Sequence, residues 1–496
     1  MSAAISYLVN MTGEIALLGG IGLVYAVYSY LLWPAFFSPL ATIPTAHWSC
    51  PFSRLWILSA KWHGSEESTL LRSHSRFGNV VRVAPNTVSI AGLDGIRVVY
   101  QGAFTKPQLY SAFNHYGNAC LFSALSFKDH SSRKRMISNI YSKSYIQSSK
   151  AAQAQISFIL FSRLLPLLEQ EAARLISEGT DVQPILMAMA VDTISAYILG
   201  TSGGTDLLNN KKSWGEWTHQ FSLVPKRFFW VKEFPGLTSF CAKFGITPYP
   251  KAADEALDHL RRWNKSLCDQ AQAALTKASG PSHPADEPVV FSACRTGLEK
   301  AATEEGSGLF ATSAGQRDLI MASEVMDQIV AGHSLLAKAL ARLMMCLSQF
   351  PHAQDQLRRE LLRLQPSMQV DESRQHAFPD AKDLDALPVL HAVIMETLRL
   401  HSPVSKPLSR QVPHPGCRIG QYEIPAGVRI EASPYVLHHA EGAFPDPTSW
   451  DHMRWLEPVS EDEYRIRPNQ HFWAFGSGGR GCVASHFTLH GTLTDR

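Results

Sequence analysis

At 496 residues the chain is longer than one minimal core requires, so several ordinary domains or one large enzyme fold are both open. Its 46 Lys and Arg against 43 Asp and Glu leave a net charge of +3 with no dense basic block, which argues against nucleic acid as a partner. Eight cysteines (Cys50, Cys120, Cys241, Cys268, Cys294, Cys346, Cys417, Cys482) lie far apart, without the close pairs of zinc sites or redox dithiols, and read as reduced thiols.

Residues 15–37 (IALLGGIGLVYAVYSYLLWPAFF) hold no charge and predict a transmembrane anchor, with residues 1–14 lumenal. A cleaved signal peptide would want positive charge before the apolar run, and residues 1–14 contain no Lys or Arg. The first basic residues, Arg54 and Lys61, follow the run, which places the bulk of the chain in the cytosol and the sequon Asn10-Met11-Thr12 in the lumen. A proline-punctuated linker is expected over 38–60, and a single body over 61–496. Residues 80–90 (VVRVAPNTVSI) alternate about a Pro-Asn turn and predict a hairpin. Apolar spacing of three and four predicts helices over most of 148–200 and 252–277. Residues 279–316, with GPSHPADEP and EEGSG, predict a solvated surface loop. A long helix is expected over about 318–350, then amphipathic helices over 352–364 and 387–400, and beyond Pro403 short extended pieces. The fold class is mainly α with minor β.

The strongest chemical signal is Phe475-Gly476-Ser477-Gly478-Gly479-Arg480-Gly481-Cys482-Val483-Ala484. Glycines let a backbone approach a flat ligand, and a helical run after the cysteine can stabilise a thiolate. Arg480 could reach an acidic group on that ligand. A glycine-rich loop around a buried structural cysteine is the plainer alternative.

The segment resembles the haem-binding loop of the cytochrome P-450 family, Phe-Gly-x-Gly-x-Arg-x-Cys-x-Gly or Ala, and matches at every defining position. The resemblance implies the cytochrome P-450 fold, haem b with Cys482 as axial thiolate and metal ligand, and cofactor contacts from Arg480, Phe475 and Gly476. It further implies that Glu396-Thr397-Leu398-Arg399 is the family's Glu-x-x-Arg helix, sharing a structural network with Arg454. His452-Met453-Arg454-Trp455 departs there from the usual Pro-Glu-Arg-Phe or Trp. Arg410 and His438 fall where relatives hold a haem propionate. His130 and Lys134 stand in for the family's Trp-x-x-x-Arg, with Arg133 an alternative donor. Each also has a plain reading as a structural or surface residue.

Two departures matter. In Ala331-Gly332-His333-Ser334-Leu335-Leu336 the family has Ala/Gly-Gly-x-Asp/Glu-Thr-Thr/Ser, where the helix bulges and the acid and alcohol relay protons. Ala331, Gly332 and Ser334 are the candidate catalytic positions, but Ser334 replaces the acid and Leu335 the threonine. His333, Ser334, water or a substrate hydroxyl would have to supply protons. The chain also ends at Arg496, so the catalytic body reads as short at its C-terminus.

The resemblance therefore implies a monooxygenase hydroxylating or epoxidising an apolar small molecule, of the fungal microsomal secondary-metabolism type. NADPH enters only through a cytochrome P-450 reductase. The endoplasmic reticulum membrane is the expected location. Substrate contacts are expected from residues 113–126, 331–335 and 404–408. The lost acid–alcohol pair keeps open a haem-thiolate isomerase, dehydratase or peroxygenase, and a non-catalytic degenerate haem protein.

Overall fold

The computed structural model describes residues 17–496 except 103, 175–178, 277–281, 304–309, 311, 367–378, 457–467 and 495–496. Residues 1–14, expected to be lumenal, the Asn10 sequon and the EEGSG stretch lie outside the described residues. The helix Leu17–Phe37 buries none of its apolar window. Two other helices of comparable hydropathy, Lys150–Ala173 and Ala314–Gln349, bury 44% of theirs and belong to the core. Among the described residues, only the first therefore offers an uncovered apolar surface long enough to cross a bilayer.

The chain divides into two compact units, Met1–Thr105 with Ser405–Ala440, and Lys106–Val404 with Glu441–Arg496. The first is built on a sheet. The expected hairpin forms as β1 (Val80–Ala84) and β2 (Thr87–Ile90), antiparallel, with Val81 opposite Ser89. Of the later strands β3 (Leu408–Gln411), β4 (Gly416–Ile419), β5 (Tyr422–Pro425) and β6 (Arg429–Ala432), β6 lies parallel to β2 and antiparallel to β3, giving the order β1-β2-β6-β3. β4 and β5 form a separate hairpin. All five residues of β1 are buried, Arg82 included, because its guanidinium donates to Pro34 O and Pro85 O at 2.8 Å each.

The second unit is helical. The 36-residue helix Ala314–Gln349 packs along Gln183–Leu199, whose residues from Ala188 to Leu199 are all buried. Gly332 marks the close approach, since a Cβ there would lie 3.1 Å from Ile194 side-chain carbons. The long helix is continuous α-helix through residues 331–336, without the bulge that the resemblance implies.

One expectation fails outright. Residues 289–303, assigned above to a solvated loop, form the helix Val289–Thr303, burying Val289, Val290, Phe291, Cys294 and Leu298. The spacing of these five is an amphipathic stripe. Its polar and Gly/Pro-rich flanks dominated the composition of the whole stretch and hid it.

Candidate functional site

The cysteine loop closes on itself. Cys482 N–H donates to Phe475 O at 2.9 Å, Gly481 N–H to Gly478 O at 3.0 Å, and Gly476 N–H to Trp473 O at 3.0 Å. Gly476 and Gly478 adopt φ of +66° and +68°, the left-handed region that a side chain disfavours, so the turn depends on them. Phe475 packs on a cluster including Ala339, Ile394 and Leu398 and anchors the near end of the loop. The following helix begins at Ser485, three residues past the cysteine, so Cys482 stands just outside its first turn.

All eight cysteines are free of disulfides, and Cys482 is the exposed one among them. Its thiol is nonetheless pushed above the ordinary value by desolvation, while the Ala484 N–H and the Lys134 ammonium pull it down. With a cation beside it and a soft donor atom facing open space, it suits a thiolate-binding metal. The soft sulfur donor, the neighbouring Lys134 ammonium and the glycine turn that presents Cys482 fit a haem bound through it.

Arg480 donates through both terminal nitrogens, to Ala124 O and Leu125 O at 2.7 Å each, tying the loop to the segment before helix Phe127–Ile137. From that helix Lys134 donates to Gly479 O at 2.9 Å. His130, one turn earlier, is buried. Arg133 is committed elsewhere, to Glu324 at 2.5 Å and Asp129 at 2.7 Å. Of the two candidate donors, Lys134 is therefore the one at the cysteine loop. Arg410 and His438 belong to the sheet unit. Arg410 is buried over the Tyr100 ring at 4.9 Å and donates to Ser409 O at 2.8 Å, and His438 is wholly buried.

Glu396, Arg399 and Arg454 meet. Arg399 grips Glu396 with two bonds, Nη2 to Oε1 at 2.7 Å and Nε to Oε2 at 2.8 Å, and Arg454 Nε adds a third at 3.0 Å. The Asp451 N–H (3.0 Å) and the Trp455 indole N–H (2.9 Å) complete the carboxylate. Burial alone would raise Glu396, but the Arg399 bonds and charge and the other donors hold it below the ordinary value. The role of Trp455 as a donor is not readable from sequence, where an aromatic after arginine suggests packing alone.

On the long helix, Ala331 is exposed, Ser334 and Leu335 are half-buried, and Gly332 faces Ile194. His333 turns from this accessible stripe into an aromatic box, 4.0 Å from the Phe221 ring and 5.0 Å from Trp217. Its Nδ1 bonds Val330 O at 2.8 Å, and desolvation lowers its pKa to about 4. A ring neutral at pH 7 and facing aromatic carbon is not a proton donor there, which removes His333 from the candidates for the missing acid.

Sequence reading missed an acidic pair on the same helix. Glu324 Oε2 accepts from Leu121 N–H at 3.0 Å and Asp327 Oδ2 from Phe122 N–H at 3.1 Å. Burial raises both carboxyls, Glu324 to about 7. The available signal was two acids three apart in an otherwise apolar stretch, ASEVMDQIVAG.

The cytochrome P450 family model matches residues 51–489. The chain is 28% identical over 431 residues to cytochrome P450 monooxygenase avaI of Aspergillus versicolor, covering 84% of this chain and 93% of that one. It is 23% identical to a pisatin demethylase of Fusarium vanettenii, covering 98% and 89%. Its fold is similar to the haem domain of cytochrome P450DA, with a TM-score of 0.67 at 15% identity over 91% of this chain and 89% of that one. The closed glycine loop, the accessible thiol and a match spanning most of the sequence agree, and the chain belongs to the cytochrome P450 family of haem-thiolate oxidoreductases.

Proposed function

We propose that this protein is a membrane-anchored monooxygenase of fungal secondary metabolism that hydroxylates or epoxidises an apolar small molecule. The observation that carries the reading is Cys482, an accessible but desolvated sulfur on a closed glycine loop in a chain of this family. Curated relatives named as fungal cytochrome P450 monooxygenases support it.

Haem bound through Cys482 would supply dioxygen activation, with electrons from NADPH through a cytochrome P450 reductase, and a thiolate ligand favours O–O cleavage. The residues of the chain would supply the rest. Phe475, Gly476 and Gly478 shape the loop, Arg480 and Lys134 fix it to the segment 124–134, and the Lys134 ammonium favours the thiolate. Ala331 and Ser334 present a small, accessible surface on the long helix. The loop before helix Phe127–Ile137 supplies an apolar wall, where Phe113 meets Phe122 edge to face at 5.1 Å and stacks on Phe228 at 5.0 Å. Such a wall excludes water and suits an apolar substrate.

The test is incubation of the full chain in microsomes with reductase, NADPH and an apolar fungal metabolite extract under isotopically heavy dioxygen. One heavy oxygen atom should enter a product, and omitting reductant or dioxygen should abolish it. Product formed without either would instead assign an isomerase or dehydratase. Residues 17–37 are the proposed anchor in the endoplasmic reticulum membrane, with the bulk of the chain in the cytosol. Deleting residues 1–37 should release much of the protein from microsomes, and unchanged tight association would refute that assignment.

A further inference from the structure

The family's acid and alcohol are missing at Ser334 and Leu335, yet the same helix carries two carboxyls one turn apart, Glu324 buried and Asp327 half-buried. Glu324 and Asp327 accept from consecutive backbone N–H groups, Leu121 and Phe122, which holds both carboxyls against one loop. Three cations or donors face the pair. Arg133 bonds Glu324 and is shared with Asp129, the Cys120 thiol bonds Asp327, and the Lys106 ammonium acts on Asp327 from its place over the Phe122 ring at 4.2 Å. Cys294 also faces Glu324.

Helical spacing continues the line. Asp327, Ala331 and Ser334 are separated by four and three residues and lie on one stripe. Ala331 is exposed and its two neighbours on the stripe are half-buried, so the stripe is accessible along its length. Glu324 lies one turn behind it and is buried.

We propose that Glu324 and Asp327 form a proton-holding pair that serves the accessible stripe of the long helix, in place of the acid and alcohol absent at Ser334 and Leu335. The inference rests on the monooxygenase reading and deepens it. A neutral carboxyl of the pair releases one proton towards the stripe. The carboxylate left behind is stabilised by Arg133 and the two backbone N–H groups, and water returns the proton. Desolvation, opposed by Arg133 and reinforced by the neighbouring Asp327 charge, places Glu324 at about 7, so the pair loads and unloads near neutral pH. These are proton-positioning residues, distinct from groups that touch substrate.

The same geometry would serve a purely structural pair that pins the loop to the helix, and spectroscopy separates the two. Infrared difference spectra of the full-length protein across pH should show a protonated-carboxyl band that titrates near 7, lost in Glu324→Gln and weakened or shifted in Asp327→Asn. The stretching frequency of carbon monoxide bound to the reduced protein should move with the same midpoint, and should be insensitive to pH in both variants.

No titrating carboxyl band would overturn the proposal. So would a band without a matching shift in the carbon monoxide stretch, because the proton would then be held without reaching the site. If Glu324→Gln fails to fold through loss of its Arg133 pair, Asp327→Asn keeps that pair, and its weakened or shifted band with a pH-insensitive carbon monoxide stretch carries the test. Neither readout requires turnover, so failure of this pair is distinct from failure of the monooxygenase reading, which dioxygen incorporation decides.

Discussion

Glu396 and Glu324 are both buried on helices and both bonded to an arginine, yet their carboxyls move in opposite directions. Glu396 receives five hydrogen bonds, from Arg399 twice, Arg454, Asp451 and Trp455. Glu324 receives one bond from Arg133 and one from Leu121, and has Asp327 one turn away. Burial penalises both charges, and the partners decide the outcome. A saturated carboxylate stays ionised and locks structure, whereas a partly satisfied one beside a second acid can hold a proton.

The comparison can be broken most forcefully at Glu396. Glu396→Ala leaves Arg399 and Arg454 facing each other without their carboxylate, and should cost about 3–5 kcal/mol by chemical denaturation. A loss below about 1 kcal/mol would mean that the network is not what holds this region.

A smaller effect sharpens the contrast through pH. Glu324 is raised from 4.5 to about 7, so the folded chain binds this proton more tightly than the unfolded chain. Its contribution to stability is full below 4.5 and is lost as pH rises through about 7, a change of up to about 3 kcal/mol. Glu396 is lowered, so its contribution is present above 4.5 and is lost as pH falls through its folded value. Urea midpoints between pH 5 and pH 8 should therefore fall less with rising pH in Glu324→Gln than in the unaltered protein. An identical slope in the two would contradict the raised carboxyl.

The smallest effect lies at the cysteine loop. Lys134→Ala removes a favourable charge near Cys482 and should raise the thiol pKa further. Alkylation rates of haem-free protein across pH would show it, and a lowered thiol pKa would overturn the role given to Lys134.

These regions differed in how much their sequence disclosed. Phe475 to Ala484 was legible because close backbone approach and metal ligation restrict residue types at fixed spacing. Glu396, Arg399 and Arg454 were legible through family spacing, but the Trp455 indole bond depends on a tertiary placement that no local pattern encodes. The hairpin at 80–90 and the long helix follow from periodicities of 2 and 3.6. The helix Val289–Thr303 did not, because its flanks masked a short apolar stripe. Glu324 and Asp327 were invisible as a site because charges at helical spacing ordinarily face solvent, and only contact with Leu121 and Phe122 shows that this face is covered.

The haem-thiolate assignment faces its most direct test in the absorbance of the reduced full-length protein under carbon monoxide. The unaltered chain should give the band characteristic of thiolate-ligated haem. Cys482→Ser should lose it, while Cys346→Ser, altered at a buried thiol, should keep it. A full thiolate band in Cys482→Ser would contradict the assignment of Cys482 as the ligand.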